Sequence, residues 1–95
     1  MKTFLVERDV GNTPTVELLG MSAASWRTAR QMQQEGDRIY YLGSTYLPAD
    51  GLCLCLYTAK SAEVVANHSQ VARLPVRRIT DAVAFGTPAF PEAVD

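Results

Sequence analysis

The stretch from Asp37 to Ala59, DRIYYLGSTYLPADGLCLCLYTA, sets two β-compatible runs on either side of Leu47-Pro48-Ala49-Asp50-Gly51. Pro48 fixes one backbone dihedral, Asp50 can bond its own backbone and Gly51 accepts a positive φ, so the sequence predicts a β-hairpin. With a period of two, Leu52, Leu54 and Leu56 share one face and Cys53, Cys55 and Tyr57 the other. On the incoming strand the same count separates Ile39, Tyr41, Gly43 and Thr45 from Tyr40, Leu42, Ser44 and Tyr46. The turn register decides which set joins the leucines, and the sequence leaves that open.

The remaining segments are placed around this hairpin. Lys2 to Asp9 alternates as a strand, with Phe4 and Val6 on one side and Leu5 and Glu7 on the other. Thr13 offers an N-cap and Pro14 a first helical position; Val16, Leu19, Ala23, Trp26 and Ala29 or Arg30 then recur at helical spacing as far as about Gln34. Gly36 supplies a C-terminal cap. Ser61 caps a second helix to about Arg73, with Val64, Val65, His68 and Val71 or Ala72 as its stripe and Pro75 restricting Leu74 at its end. Strand character returns from Arg77 to Phe85.

The order β-α-β-β-α-β predicts an α+β, ferredoxin-like fold: a four-stranded antiparallel sheet with strand order 4-1-3-2 and two helices on one face. Residues 1–85 form that domain and 86–95 a Pro-rich C-terminal tail. Trp26 and Leu19 are expected to pack on the sheet face carrying Phe4, Val6, Leu54 and Ile79. The opposite face, with Leu5, Tyr40, Leu42, Cys53, Cys55 and Tyr57, is too apolar to stay wet. A homodimer through the open sheet face is the expected answer.

The charge of -1 is spread without runs, which disfavours nucleic acid and anionic membranes as partners. Only three apolar residues in a row precede Glu7, too few for a secretory core, and no run approaches the roughly 18 residues that span a bilayer, so a cytoplasmic protein is expected. Cys53 and Cys55, with α-carbons about 7 Å apart on one strand, are poorly placed for a disulfide and read as thiols. No phosphate loop, Ser/His/Asp spacing or HExxH motif is present, and the case for catalysis is weak.

The opening FLVERDV, the triplet Cys55-Leu56-Tyr57, Glu63-Val64-Val65 followed by His68, and the run from Leu74 to Asp81 together resemble a family of small bacterial proteins long catalogued as a domain of unknown function. Its best-described type is a dimeric, nickel-binding, nickel-responsive ferredoxin-like protein. The resemblance spans roughly residues 1 to 85 and departs from the family pattern before the third strand, where Asp50-Gly51-Leu52 lacks the family's Lys. It implies nickel as the bound ion. Donor chemistry then offers His68, Glu7, Asp9, Cys55, Tyr57 and Tyr46 as ligands, some of them drawn from both subunits. A non-enzymatic metal-binding dimer stands beside two alternatives: a dimeric α+β barrel enzyme acting on a small organic substrate, and a ligand-binding or association module without catalysis.

Overall fold

The strand Lys2–Asp9 (β1) sits inside the sheet because its alternation is complete: Phe4, Val6 and Arg8 are buried, while Leu5 and Glu7 are half-buried on the reverse face. The computed structural model describes residues 1–85; the Pro-rich segment 86–95 lies outside the described residues. The helix Thr15–Gln34 (α1) leads to strands Ile39–Leu47 (β2) and Leu52–Ala59 (β3), the helix Ala62–Val71 (α2) and the strand Arg78–Ala82 (β4). The order across the antiparallel sheet is β2-β3-β1-β4, the ferredoxin-like arrangement expected. No helix among the described residues is long and apolar enough to cross a membrane.

Local chemistry explains the boundaries. Pro14 occupies the N-cap of α1, and the Thr13 hydroxyl bonds the Val10 carbonyl instead of capping the helix. At the other end Gly36 takes φ of 100° and the Asp37 N–H returns to the Met32 carbonyl at 2.9 Å, closing the helix as a Schellman turn requires. Ser61 caps α2 through Val64 N–H, and Arg73 at φ of 58° lets Leu74 N–H reach Ser69 O at 2.9 Å. That left-handed residue ends α2 at Val71, shortly before the expected limit. β4 is shorter than expected too, and Val83 and Phe85 are exposed beyond it.

The hairpin turn is clamped to the end of β1. Val10 and Gly11 N–H both donate to Gly51 O at 3.0 Å, and a Cβ on Gly51 would stand 3.0 Å from Gly11 Cα. Gly51 also has φ of 63°, so both space and backbone favour glycine there.

Two expectations about facing are corrected. Cys53, Cys55 and Tyr57 lie opposite Arg8, Val6 and Phe4, on the side covered by the helices, whereas Leu52, Leu54 and Leu56 lie opposite Asp9, Glu7 and Leu5 on the open side. The pairing to β1 fixes this parity, and burial is acceptable for Tyr57 because its hydroxyl finds partners inside. The open face therefore carries Leu5, Leu47, Leu52, Leu54 and Leu56, all half-buried, in place of the thiols and Tyr57. Helix α1 is turned the other way as well: Trp26 is 52% and Leu19 65% exposed. Its inward face is Ser25, Ala29 and Met32, flanked by Leu18, Met21 and Ser22. Ser22 bonds the Tyr41 hydroxyl at 2.9 Å and Ser25 that of Tyr57 at 3.0 Å, so two tyrosines on the sheet fix the rotation. Trp26 instead stacks with Arg30, whose guanidinium lies 5.1 Å from the ring centroid.

Strand β2 mixes the two sets that simple alternation separates. The pairing shifts between Tyr41 and Gly43, so Leu42 is an extra residue in a β-bulge. Ile39, Tyr41, Ser44 and Tyr46 consequently pair with Ala59, Tyr57, Cys55 and Cys53 on the helix side.

Candidate functional site

Arg8 is 0% exposed, at the centre of the layer between sheet and helices. Its side chain is held by three different nitrogens: Nε donates to Cys55 Sγ at 3.4 Å, one Nη to Pro75 O at 2.9 Å and the other to Tyr57 Oη at 2.8 Å. The ion pairs among the described residues are Arg77 with Asp9 and Arg78 with Glu7, so no carboxylate accompanies Arg8 there. A guanidinium keeps its charge in proteins, and a buried charge without a counter-charge is costly. Thiols, hydroxyls and a carbonyl are what surround it.

The polar shell continues on both sides. Cys53 Sγ and Cys55 Sγ are 3.8 Å apart, and Ser44 Oγ, on an exposed residue, lies 3.0 Å from Cys55 Sγ. Ser44 bonds Tyr41 at 2.5 Å, and Tyr41 bonds Ser22, giving a run of hydroxyls from the strand to α1. A cavity of about 10 Å³ opens among Arg8, Ser25, Ser44, Cys53 and Cys55, large enough for a single water-sized occupant. Burial pushes the Tyr57 phenol up to about 12 despite the opposing charge of Arg8, so it keeps its proton at neutral pH. Burial, reinforced by the neighbouring Cys55, pushes the Cys53 thiol up to about 11.

His68 projects from α2 into the same layer, fully buried, its ring centroid 4.8 Å from that of Tyr57. Nε2 is 2.9 Å from the Ser25 carbonyl oxygen, which can only accept, so Nε2 carries the proton. Nδ1 is buried and has no partner among the described residues, so a bare lone pair is held inside the protein. Burial lowers the His68 pKa, the Ser25 carbonyl raises it and the charge of Arg8 lowers it further; the net direction is down. A lowered folded-state value means that the unfolded chain binds the proton more tightly. His68 therefore contributes stability that is fully present above about pH 6.5 and is lost as pH falls below it. Urea unfolding between pH 7.5 and pH 5 should show a decline approaching about 1.4 kcal/mol per pH unit from this group. His68→Gln should remove that part of the decline; an unchanged pH profile would refute the assignment.

The six residues singled out by donor chemistry are divided by the sheet. Cys55, Tyr57 and His68 are all buried on the helix side, where Tyr57 packs against His68. Glu7 is on the open face, its Oε2 2.6 Å from Arg78 Nε, and Asp9 is exposed with Arg77 3.8 Å away. The Tyr46 hydroxyl donates to Gly11 O at 2.8 Å beside the hairpin turn. Among the described residues no three His, Cys, Asp or Glu side chains are grouped closely enough to hold a metal ion. Sequence reasoning missed Arg8 and Ser25 as members of this cluster. The strand period that places Phe4 and Val6 inward also places Arg8 inward, and that signal was available.

A family model described as the nickel responsive protein SCO4226-like matches residues 4–81. Among solved structures, the chain is similar to the crystal structure of SCO4226 from Streptomyces coelicolor A3(2), with a TM-score of 0.74 and 16% sequence identity over 88% of this chain and 99% of that one. At that identity the likeness is one of fold. No curated protein matches.

Proposed function

The chain belongs to the SCO4226-like family of nickel-responsive proteins, and from that premise we propose that it is a small non-enzymatic nickel-binding protein, working as a homodimer. The observation that carries this reading is the unpartnered Nδ1 of His68: an imidazole locked by Ser25 into the tautomer that leaves one lone pair free is prepared for a metal. Imidazole nitrogen and thiolate sulfur are donors that suit nickel. His68 is the necessary ligand in this reading, with Cys55 the second donor on its side of the sheet. Glu7 and Asp9, on the opposite face, could contribute only at a contact between two copies, and Tyr46 and Tyr57 are already committed to hydrogen bonds. The dimer is proposed from the five leucines of the open face, a patch that association would cover. Residues 1–85 are proposed as the binding domain, with 86–95 as a Pro-rich segment beside it.

Calorimetric titration with nickel, joined to sedimentation of the same samples, tests both parts. The wild type should bind nickel, and His68→Ala should lose at least 10-fold in affinity while melting cooperatively. Wild-type protein that gives no heat, or identical curves for the two proteins, would end the metal reading. The wild type should sediment as a dimer at micromolar concentration and Leu54→Lys as a monomer. A monomeric wild type would refute the interface.

A further inference from the structure

Arg8 has more donors than its partners use, and it has them beside a cavity. Of the five N–H groups of a guanidinium, three are taken: Nε–H by Cys55 Sγ, and one on each Nη by Pro75 O and Tyr57 Oη. The other two have no acceptor among the described residues. Ser25 adds a further donor. Because Arg8 can only donate, the Tyr57 oxygen accepts, and the phenol's own proton goes to the Ser25 hydroxyl oxygen 3.0 Å away. The Ser25 proton is then left without an acceptor among the described residues. Both residues are buried, at 0% and 1% exposure, and both line the cavity of about 10 Å³. The thiol of Cys53, a weak donor, lines it too.

Charge and size then name the occupant. The guanidinium keeps its proton, and no carboxylate accompanies it among the described residues. A water molecule beside it would leave the charge unbalanced, whereas an anion answers the charge and the spare N–H and O–H donors together. Room for a single water-sized occupant rules out phosphate, carboxylates and other polyatomic anions at this position. A halide ion remains. Chloride is slightly larger than water, and Met21 in the cavity wall is an adaptable side chain that can yield to it. Exposed Ser44, also in the wall, marks the route from solvent.

We propose that Arg8 and Ser25 form a binding site for one chloride ion per chain, which serves as the counter-charge of the buried guanidinium. The site goes beyond the nickel reading, because it requires Arg8 and Ser25 and does not require His68. Nickel held by Cys55 would add positive charge beside Arg8 and so favour the anion further. Chloride tested on metal-free protein lets the two readings fail separately.

The experiment is thermal unfolding of the full chain, freed of metal with a chelator, while sodium chloride replaces sodium acetate at constant ionic strength. Acetate is the control because its anion exceeds the cavity. The wild-type midpoint should rise by about 4 °C or more and level off below roughly 200 mM chloride as the site fills. Ser25→Ala, which keeps the three hydrogen bonds of Arg8, should need at least about 10-fold more chloride for the same rise. Arg8→Met should respond by less than about 1 °C, and where it does not melt cooperatively Ser25→Ala decides. A wild type indifferent to chloride would overturn the proposal and assign the counter-charge to a thiolate at Cys55. A rise that never saturates, or one shared equally by folded Arg8→Met or by Ser25→Ala, would overturn it as well.

Discussion

Tyr57→Ala should lower the unfolding free energy by about 3–5 kcal/mol and the melting midpoint by roughly 15–30 °C. Tyr57 is fully buried and its ring packs between those of Tyr41, 5.4 Å away between centroids, and His68, 4.8 Å away. Truncation would empty the space of a whole ring and strand the hydrogen bonds that its hydroxyl makes with Arg8 and Ser25. Tyr57→Phe separates the two contributions. It keeps the ring and leaves the guanidinium one acceptor short, which should cost about 1–3 kcal/mol. Thermal unfolding of both variants decides the matter: a Tyr57→Ala protein within 1 kcal/mol of wild type would mean that the layer is not packed as described.

The second large effect belongs to a substitution that looks mild. Arg8→Lys retains the charge but should cost about 2–4 kcal/mol, because one ammonium cannot replace three nitrogens directed at Cys55, Pro75 and Tyr57 from a planar fork. Arg8→Met should cost less than Arg8→Lys. It loses the same hydrogen bonds yet removes a buried charge that no carboxylate balances among the described residues. Chemical denaturation of the three proteins gives the order. Arg8→Met falling more than about 1 kcal/mol below Arg8→Lys would show that the fold compensates the charge of Arg8.

The strand order and the facing of β1 were legible because Phe4 and Val6 alternate with more polar neighbours and the segment order admits few wirings. The motifs around Glu7, Cys55, His68 and Arg78 were sufficient to indicate the family. The facing of β3 was not legible. Three leucines against two cysteines and a tyrosine read as the core by hydropathy, whereas hydrogen bonding of Tyr57 to Arg8 and Ser25 makes the other face the inner one. Helix α1 misled for the same reason: Val16, Leu19 and Trp26 form the greasier stripe, yet the serines that bond tyrosines face the sheet. In both cases polar pairing across elements outweighed local hydrophobicity, and such pairing is invisible until the elements are docked. Of the site, His68 could be placed from helical spacing, while Arg8 was inferable from strand period but overlooked.

The bulge at Leu42 changes how related chains ought to be compared. β2 has nine residues against eight in β3, and with Leu42 set aside every other pairing follows a regular ladder from Ile39 with Ala59 to Leu47 with Leu52. A homologue shorter by this one residue could keep Tyr41, Ser44 and Tyr46 facing the helices. An alignment of the two that places its gap in the hairpin turn would match Ser44 to a position on the opposite face of the sheet, and a gap at Leu42 restores the correspondence.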